Sequence, residues 1–207
     1  LRAESYFNNG DNISLSVFYK DFTNHIEVGF GNSGLTWNNV GHSTVRGIEL
    51  EGRKKLLRSL EFRLNATLVR SNSEVVRTVF EVVDGVKNYL PVDTINRPMF
   101  GQAPYIVNGI LSYSADSLGL IVTASYNVQG PRLVIAGIVK GRPDVYETPR
   151  HLIDLKLSKT LGKHFMISIT VRDLLNQPVR RAYKYNSGGQ IKDLPVGPRD
   201  YDKFRYG

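Results

Sequence analysis

Apolar and polar residues alternate strictly along five segments of this chain. Every second residue is apolar from Ile13 to Tyr19 and again from Phe165 to Val171. The stretches 60–69, 120–127 and 153–158 follow the same rule. Because side chains of a β-strand point alternately to its two faces, each segment predicts a strand with one apolar and one polar face.

Three further segments, 1–7, 42–53 and 104–114, also have the character of strands. The chain is therefore predicted to be all-β, with about eight strands and no helix. Many of these segments run to about ten residues, a length that suits a tilted membrane-spanning strand. All the prolines fall outside the strand interiors predicted in this way, as expected for a residue that cannot donate to a β-ladder.

The connections between these strands alternate in length. The short turns are 8–12, 55–59, 115–117 and 161–163. The long loops are 23–41, 73–103, 131–146 and the stretch from 186 onward. Short periplasmic turns opposite long extracellular loops are typical of outer-membrane β-barrels. The pattern thus predicts a partial transmembrane antiparallel β-barrel.

The two faces of the predicted strands receive different side chains. The residues expected to face lipid are Leu15, Val17, Leu64, Leu68, Val122, Leu155, Ile167 and Ile169. Those expected to face the lumen are Ser16, Arg63, Asn65, Thr123, Lys156 and Ser168. The strand 164–177 is expected to leave the hydrocarbon near Val171, because a charge at Asp173 is tolerated only near the membrane boundary.

Composition removes several classes of function. The chain has no cysteine, so disulfides, thiolate metal sites and a cysteine nucleophile are excluded. No apolar run is long enough for a transmembrane helix, but a barrel strand never needs one. The net charge of +8 is dispersed, with one dense basic cluster at 53–58. Without a nucleic-acid-binding motif, this cluster indicates a turn beside anionic headgroups, and no nucleic acid is expected as a partner.

No arrangement of residues indicates catalysis, a metal or a cofactor. The four histidines lie far apart, without ligand spacing. Glu49 and Glu51 share one strand face, where a lumen would solvate them or an arginine would pair with them. The nucleophile elbow and the phosphate-binding loop are both missing. The sequence therefore predicts a protein that is not an enzyme, with no metal site and no cofactor.

Four motifs resemble strands of TonB-dependent receptors. They are Asn39–Glu51 (NVGHSTVRGIELE), Gly101–Tyr105 (GQAPY), Asp144–Arg150 (DVYETPR) and Val171–Gln177 (VRDLLNQ). The third resembles the third-last strand of such receptors in Bacteroidota, and the fourth their penultimate strand. The resemblance covers nearly the whole chain.

The resemblance implies an outer-membrane barrel of about 22 strands occluded by an N-terminal plug. Such receptors import a scarce nutrient, such as a ferric siderophore-like chelate, cobalamin or a glycan, with energy delivered through TonB. Residues 1–207 would be the C-terminal part of one barrel domain, with the plug domain and the final strand absent. The expected partners are TonB, through the absent N-terminal part, outer-membrane lipid and lipopolysaccharide, and a surface lipoprotein or larger envelope complex.

Three alternatives remain open at the level of the sequence. The first is a receptor-like barrel that serves as a structural or interaction subunit of a larger cell-envelope assembly. The second is a complete eight-stranded barrel, which would pair residues 1–7 with 164–177. The third is a soluble β-sandwich, which would bury the apolar face between two sheets. The partial barrel predicted above is instead expected to be an open, curved sheet, with residues 1–7 at one edge and residues 164–177 at or next to the other.

The long loops are the expected ligand-binding surface, because binding residues concentrate on loops held by a rigid scaffold. The candidate ligand-binding residues are Trp37, Arg97, Arg132, Arg142 and Arg199. The arginines suit an anionic ligand such as a ferric siderophore. The same residues could instead serve loop solubility or contact lipopolysaccharide phosphates.

Overall fold

The computed structural model describes residues 1–31, 34–187 and 190–195. These residues form one sheet of 13 strands and a short 3₁₀ helix, Asp116–Leu118. The strands are β1 (Arg2–Tyr6), β2 (Asn12–Gly31), β3 (Gly34–Leu57), β4 (Leu60–Val83), β5 (Val86–Arg97), β6 (Tyr105–Ala115), β7 (Leu120–Gln129), β8 (Arg132–Gly137), β9 (Asp144–Glu147), β10 (Arg150–Leu161), β11 (Phe165–Val171), β12 (Arg181–Ser187) and β13 (Gln190–Pro195). Among these elements no helix has the length and apolarity that crossing a membrane requires.

Eight strands form an antiparallel ladder, which we call the wall, in the order β1-β2-β3-β4-β6-β7-β10-β11. They coincide with the eight segments predicted from the sequence. The segments 1–7 and 164–171 lie at opposite edges, and within the described residues no ladder joins them. The predicted open arrangement is confirmed, and the alternative of a closed eight-stranded barrel is wrong for this part of the chain.

The register of the wall separates its apolar and polar side chains. Val122, Leu157 and Ile169 are directly opposite one another on neighbouring strands and so share one face. The same pairing places all eight residues predicted to face lipid on that face, and all six predicted lumen residues on the other. Leu68 and Ile169 are 61% and 58% exposed. Because no second layer covers this face within the part of the chain that the structure describes, the β-sandwich alternative is wrong for that part.

Side-chain hydrogen bonds cross the polar face from strand to strand in one row. The Asn65 amide donates to Glu51 at 3.3 Å, the Asn108 amide donates to Asn65 at 3.4 Å, and the Asn127 amide donates to Asn108. At the other end Arg2 donates to Glu51 at 2.9 Å. We call this set the lumenal row. It links β1, β3, β4, β6 and β7 through polar groups that an apolar environment could not satisfy.

The short turns lie at one end of the wall and the connections 23–41, 73–103 and 131–146 at the other, as predicted, because neighbouring strands are antiparallel. Most of the fourth predicted loop, from residue 196 onward, lies outside the described residues. The long connections are not irregular loops, however. The predicted loops 23–41 and 73–103 are largely strand, since β2 and β3 continue as a hairpin and β4 continues beside β5. At about 3.3 Å per residue, the 24 residues of β3 extend about 80 Å, far beyond a bilayer. We call this end the outer end.

The strand predicted at 164–177 ends earlier, at Val171. Asp173 and Asn176 have positive φ angles of 49° and 44°, which end the ladder. The Asp173 amide donates to the Asp154 carboxylate at 2.8 Å, and Arg150 lies 3.6 Å from the Asp173 carboxylate. The strand therefore ends at Val171, and the residues that follow form a turn held by charged groups.

Candidate functional site

The outer end has a small hydrophobic core of its own. Leu133, Ala136 and Tyr146, from β8 and β9, are almost fully buried, and Phe100 and Ile138 pack against them. A backbone hydrogen bond of 2.8 Å from Gly101 to Leu133 connects this core to the segment that follows β5. The connections therefore form a packed platform, which can hold binding side chains in fixed positions.

A buried ion pair joins the two outer hairpins. Arg97, at the end of β5, donates to the Glu27 carboxylate in β2 and to the Pro98 carbonyl at 3.3 Å. Their side chains are 4% and 0% exposed. Arg97 was a candidate for ligand contact, but here its guanidinium is enclosed by protein and contacts Glu27. Arg97 therefore connects the two hairpins, and we call the Glu27–Arg97 pair the joint.

Two titratable groups lie close to this joint. Burial raises the pKa of the Asp144 carboxyl above its ordinary value, although the Gly137 amide, Arg97 and Arg77 oppose the shift. The Gly137 amide donates to Asp144 at 2.8 Å. Burial also lowers the pKa of the His25 imidazole, against the attraction of Glu27. Water therefore has little access to the joint, and its charged groups are stabilised mainly by each other.

A polar cleft of about 460 Å³ opens at the outer end of β7 and β10. It is lined by Asn127, Gln129, Gly130, Arg132, Glu147, Thr148, Arg150, Leu152, Val179 and Arg181. We call it the arginine cleft. Asn127, Gln129 and Leu152 belong to the polar face of the wall, and Arg132, Glu147 and Arg181 come from β8, β9 and β12. The cleft thus stands where the wall meets the outer platform.

Three guanidinium groups and one carboxylate line the arginine cleft. Arg132 donates to Glu147 at 3.1 Å, and Arg150 lies 3.6 Å from the Asp173 carboxylate, which is outside the lining. Among the lining residues, guanidinium groups outnumber carboxylates by three to one. Arg150 donates to the Gln177 carbonyl at 3.4 Å, and this hydrogen bond fixes the orientation of its guanidinium group. Planar, fixed guanidinium groups bind carboxylates and phosphates through paired hydrogen bonds. The cleft can therefore hold an anion of small-molecule size.

The five predicted candidates lie in different places. Arg132 lines the cleft. Trp37, on β3, is 76% exposed, and Arg142 is exposed in the turn between β8 and β9. Arg97 is in the buried joint, and Arg199 lies outside the described residues. The four candidates that the structure describes therefore lie at separate positions of the outer end.

Sequence reasoning missed Arg150 and Arg181 as cleft residues. Arg150 belongs to the DVYETPR motif and starts β10, directly opposite Gln129, so its place at a strand end was a usable signal. Arg181 reaches the cleft because β12 pairs with β9, which places it opposite Glu147. In the ranges that the structure describes, no three histidine or carboxylate side chains converge as a metal site would require.

Comparison with known families agrees with this architecture. The family model described as TonB dependent receptor-like, beta-barrel matches residues 1–174. The chain belongs to this family. No curated protein sequence matches it. Family membership makes the chain part of an outer-membrane receptor barrel, with transport as the general activity and TonB as the general partner.

Proposed function

We propose that this receptor barrel imports an anionic nutrient, and that the arginine cleft is one of its ligand-contact sites. The observation that carries the proposal is the convergence of Arg132, Arg150 and Arg181 on a cavity with a single carboxylate, Glu147. Of the nutrients expected from the resemblance, a ferric chelate with free carboxylate or catecholate oxygens fits this charge best. A neutral glycan would gain less than an anion from three guanidinium groups, because hydrogen bonds between charged groups are the stronger ones.

The position of the cleft supports the same proposal. Asn127 lines the cleft and also ends the lumenal row. A ligand released from the cleft toward the lumen would therefore meet a continuous surface of amide and carboxylate groups. The Bacteroidota type, the C-terminal position in a barrel of about 22 strands and the absence of plug and final strand stay predictions, which the complete gene sequence will test.

The experiment is ligand binding and uptake by the full-length protein that contains this chain. Ferric citrate serves as the anionic probe and a neutral ferric trihydroxamate as the uncharged probe. Arg132→Ala and Arg181→Ala should each weaken binding of the anionic probe by about ten- to hundredfold, the range expected for loss of one charged hydrogen bond. The neutral probe should be unaffected.

Lys140→Ala is the matched control. Lys140 is an exposed cation of the turn between β8 and β9, and it does not line the cleft. Its removal lowers the net charge of the outer end equally and should leave binding unchanged. Equal losses in Lys140→Ala and Arg132→Ala would show a general charge effect, and preferential binding of the neutral probe would reject an anionic ligand.

One observation favours a second candidate function, that of a subunit in a larger envelope assembly. Large apolar side chains are exposed on the outer hairpins, among them Ile26, Leu35 and Trp37, at 61%, 62% and 76%. Exposed apolar groups beyond the membrane mark surfaces for protein partners. We therefore propose these hairpins as the docking surface if a surface lipoprotein accompanies the barrel. Co-purification of a lipoprotein that is lost in Trp37→Ala would support this function.

A further inference from the structure

A hollow of about 550 Å³ opens on the apolar face of the wall, at the end that carries the short turns. Its walls are formed by Phe7, Ile13, Leu50, Phe62 and Leu64, and Gly52 forms its floor. We call it the Gly52 groove. It lies outside the lumen and far along the wall from the arginine cleft.

The groove exists because one position in the wall has no side chain. Gly52 is directly opposite Ile13 on β2 and Leu64 on β4. A Cβ atom built on Gly52 would meet no atom closer than the Asn12 carbonyl oxygen, at 3.9 Å. Gly52 does not adopt a positive φ angle, so the backbone does not require glycine here. What glycine provides is the open space between two apolar neighbours.

A cation stands at the turn end of the groove. Lys54 pairs with Phe62 and therefore shares the apolar face. Its side chain is exposed and lines the groove, and within the described residues its ammonium group has no ion pair.

The Asp11 carboxylate also lines the groove. It accepts hydrogen bonds from the Lys55 amide at 2.7 Å and from the Asn9 side chain at 2.8 Å, and it is 8% exposed. The hydrogen bond from the Lys55 amide lowers the pKa of the Asp11 carboxyl, and the charges of Lys54 and Lys55 contribute to the same shift. The Asp11 oxygens are nevertheless held by the Lys55 amide and the Asn9 side chain. The groove is thus an apolar trough with one exposed ammonium group at its mouth.

We propose that the Gly52 groove binds one glycerophospholipid of the periplasmic leaflet, with an acyl chain along Gly52 and the phosphate against Lys54. The apolar face of an outer-membrane barrel meets lipid, and the groove opens on that face. Because lipid tails are already in apolar surroundings, burying one gives no hydrophobic gain. Selection must come from the fit of the chain to the trough and from attraction between the phosphate and Lys54.

The test is native mass spectrometry of the full-length protein, extracted in mild detergent and re-equilibrated with phosphatidylglycerol or phosphatidylcholine. The wild type should retain one phosphatidylglycerol. Lys54→Gln should retain about fivefold less, because a lysine at a membrane surface contributes an interaction of about that size. Gly52→Leu should also lose retention, because its side chain fills the trough. Lys54→Gln changes no packed residue, so folding does not confound it.

Lys159→Gln is the matched control. Lys159 shares the apolar face and the short-turn end, where its ammonium group donates to the Leu118 carbonyl, but it lies outside the groove. Retention should be unchanged in this variant. An equal loss in Lys159→Gln and Lys54→Gln, equal retention of both lipids by the wild type, or lipopolysaccharide as the retained lipid would each overturn the proposal. The assay contains no nutrient, so failure of the uptake proposal leaves its result intact.

Discussion

The Glu27–Arg97 ion pair controls how the outer hairpins are joined. Both side chains are almost completely buried, and removing one partner of a buried pair leaves an uncompensated charge. Glu27→Ala should therefore destabilise the outer halves of β2 and β5 by about 3–5 kcal/mol. Hydrogen exchange of their backbone amides will measure this loss.

Asp21 provides the control for that experiment. Its carboxylate lies 3.0 Å from His42, and both side chains are about half exposed. Exposed pairs contribute little to stability, so Asp21→Ala should leave the exchange rates of the outer hairpins nearly unchanged. Similar acceleration in the two variants would show that burial of the Glu27 pair has no special energetic role.

Individual side-chain roles were only partly predictable. Arg132 was selected because it lies in a long connection, and it does line the cleft. Arg97 was selected for the same reason, but its partner Glu27 is 70 residues away in the chain. Alternation reports the face of a side chain and carries no information about such a distant partner. For this reason a charged residue in a predicted loop could equally belong to a ligand site or to a buried joint.

Strand β9 carries a titratable group whose effect on stability has a definite sign. Burial raises the pKa of Asp144, so the uncharged form is favoured by the fold. Its stabilising contribution is fully present below the ordinary carboxyl pKa of about 3.9 and is lost as pH rises through the raised value. Asp144→Asn still accepts from Gly137 and stays uncharged. Its gain in thermal stability over the wild type should grow from about pH 3 to pH 7.

Asp93 on β5 should change stability with pH in the opposite direction. Its hydrogen bonds with Arg77, one of 2.8 Å, lower the pKa of its carboxyl. That stabilising contribution is present above the ordinary pKa and is lost as pH falls through the lowered value. Asp93→Asn should therefore be less stable than the wild type at pH 7, with the difference shrinking in acid. Parallel pH profiles for the two variants would refute the assigned environments.

The spanning strands were predictable and the outer strands were not. One face of the wall meets lipid and the other meets the lumen, so apolar and polar residues alternate along its strands with period two. At the outer end both faces of a strand can pack against protein, and the alternation weakens. Pro91 was counted against a strand, but it lies in β5 where the register with β4 shifts between Arg77 and Thr78. A bulge accepts proline without loss of a ladder hydrogen bond.

The orientation of the whole molecule is testable because the chain has no native cysteine. Thr36→Cys, on the outer part of β3, and Ser117→Cys, in the turn helix at the opposite end, are both exposed. In intact cells an impermeant thiol reagent should label Thr36→Cys and not Ser117→Cys. Both should be labelled in permeabilised cells. The reverse pattern in intact cells would invert the molecule and place the Gly52 groove in the outer leaflet.

The way β4 changes partners has a consequence for how such barrels diversify. Leu68 is opposite Tyr105, and the Val69 amide donates to the Pro104 carbonyl at 2.8 Å. The stretch 70–103 thus leaves β6 and returns to it at adjacent positions, while residues 70–74 still pair with β3. Loop length changes the closure free energy only slowly, so a stretch of another length can close at the same two positions, provided that it supplies a cation in place of Arg97 for the buried Glu27. Replacing the stretch 70–103 with one of another length would alter what the cell surface presents while every register pair below it stays in place.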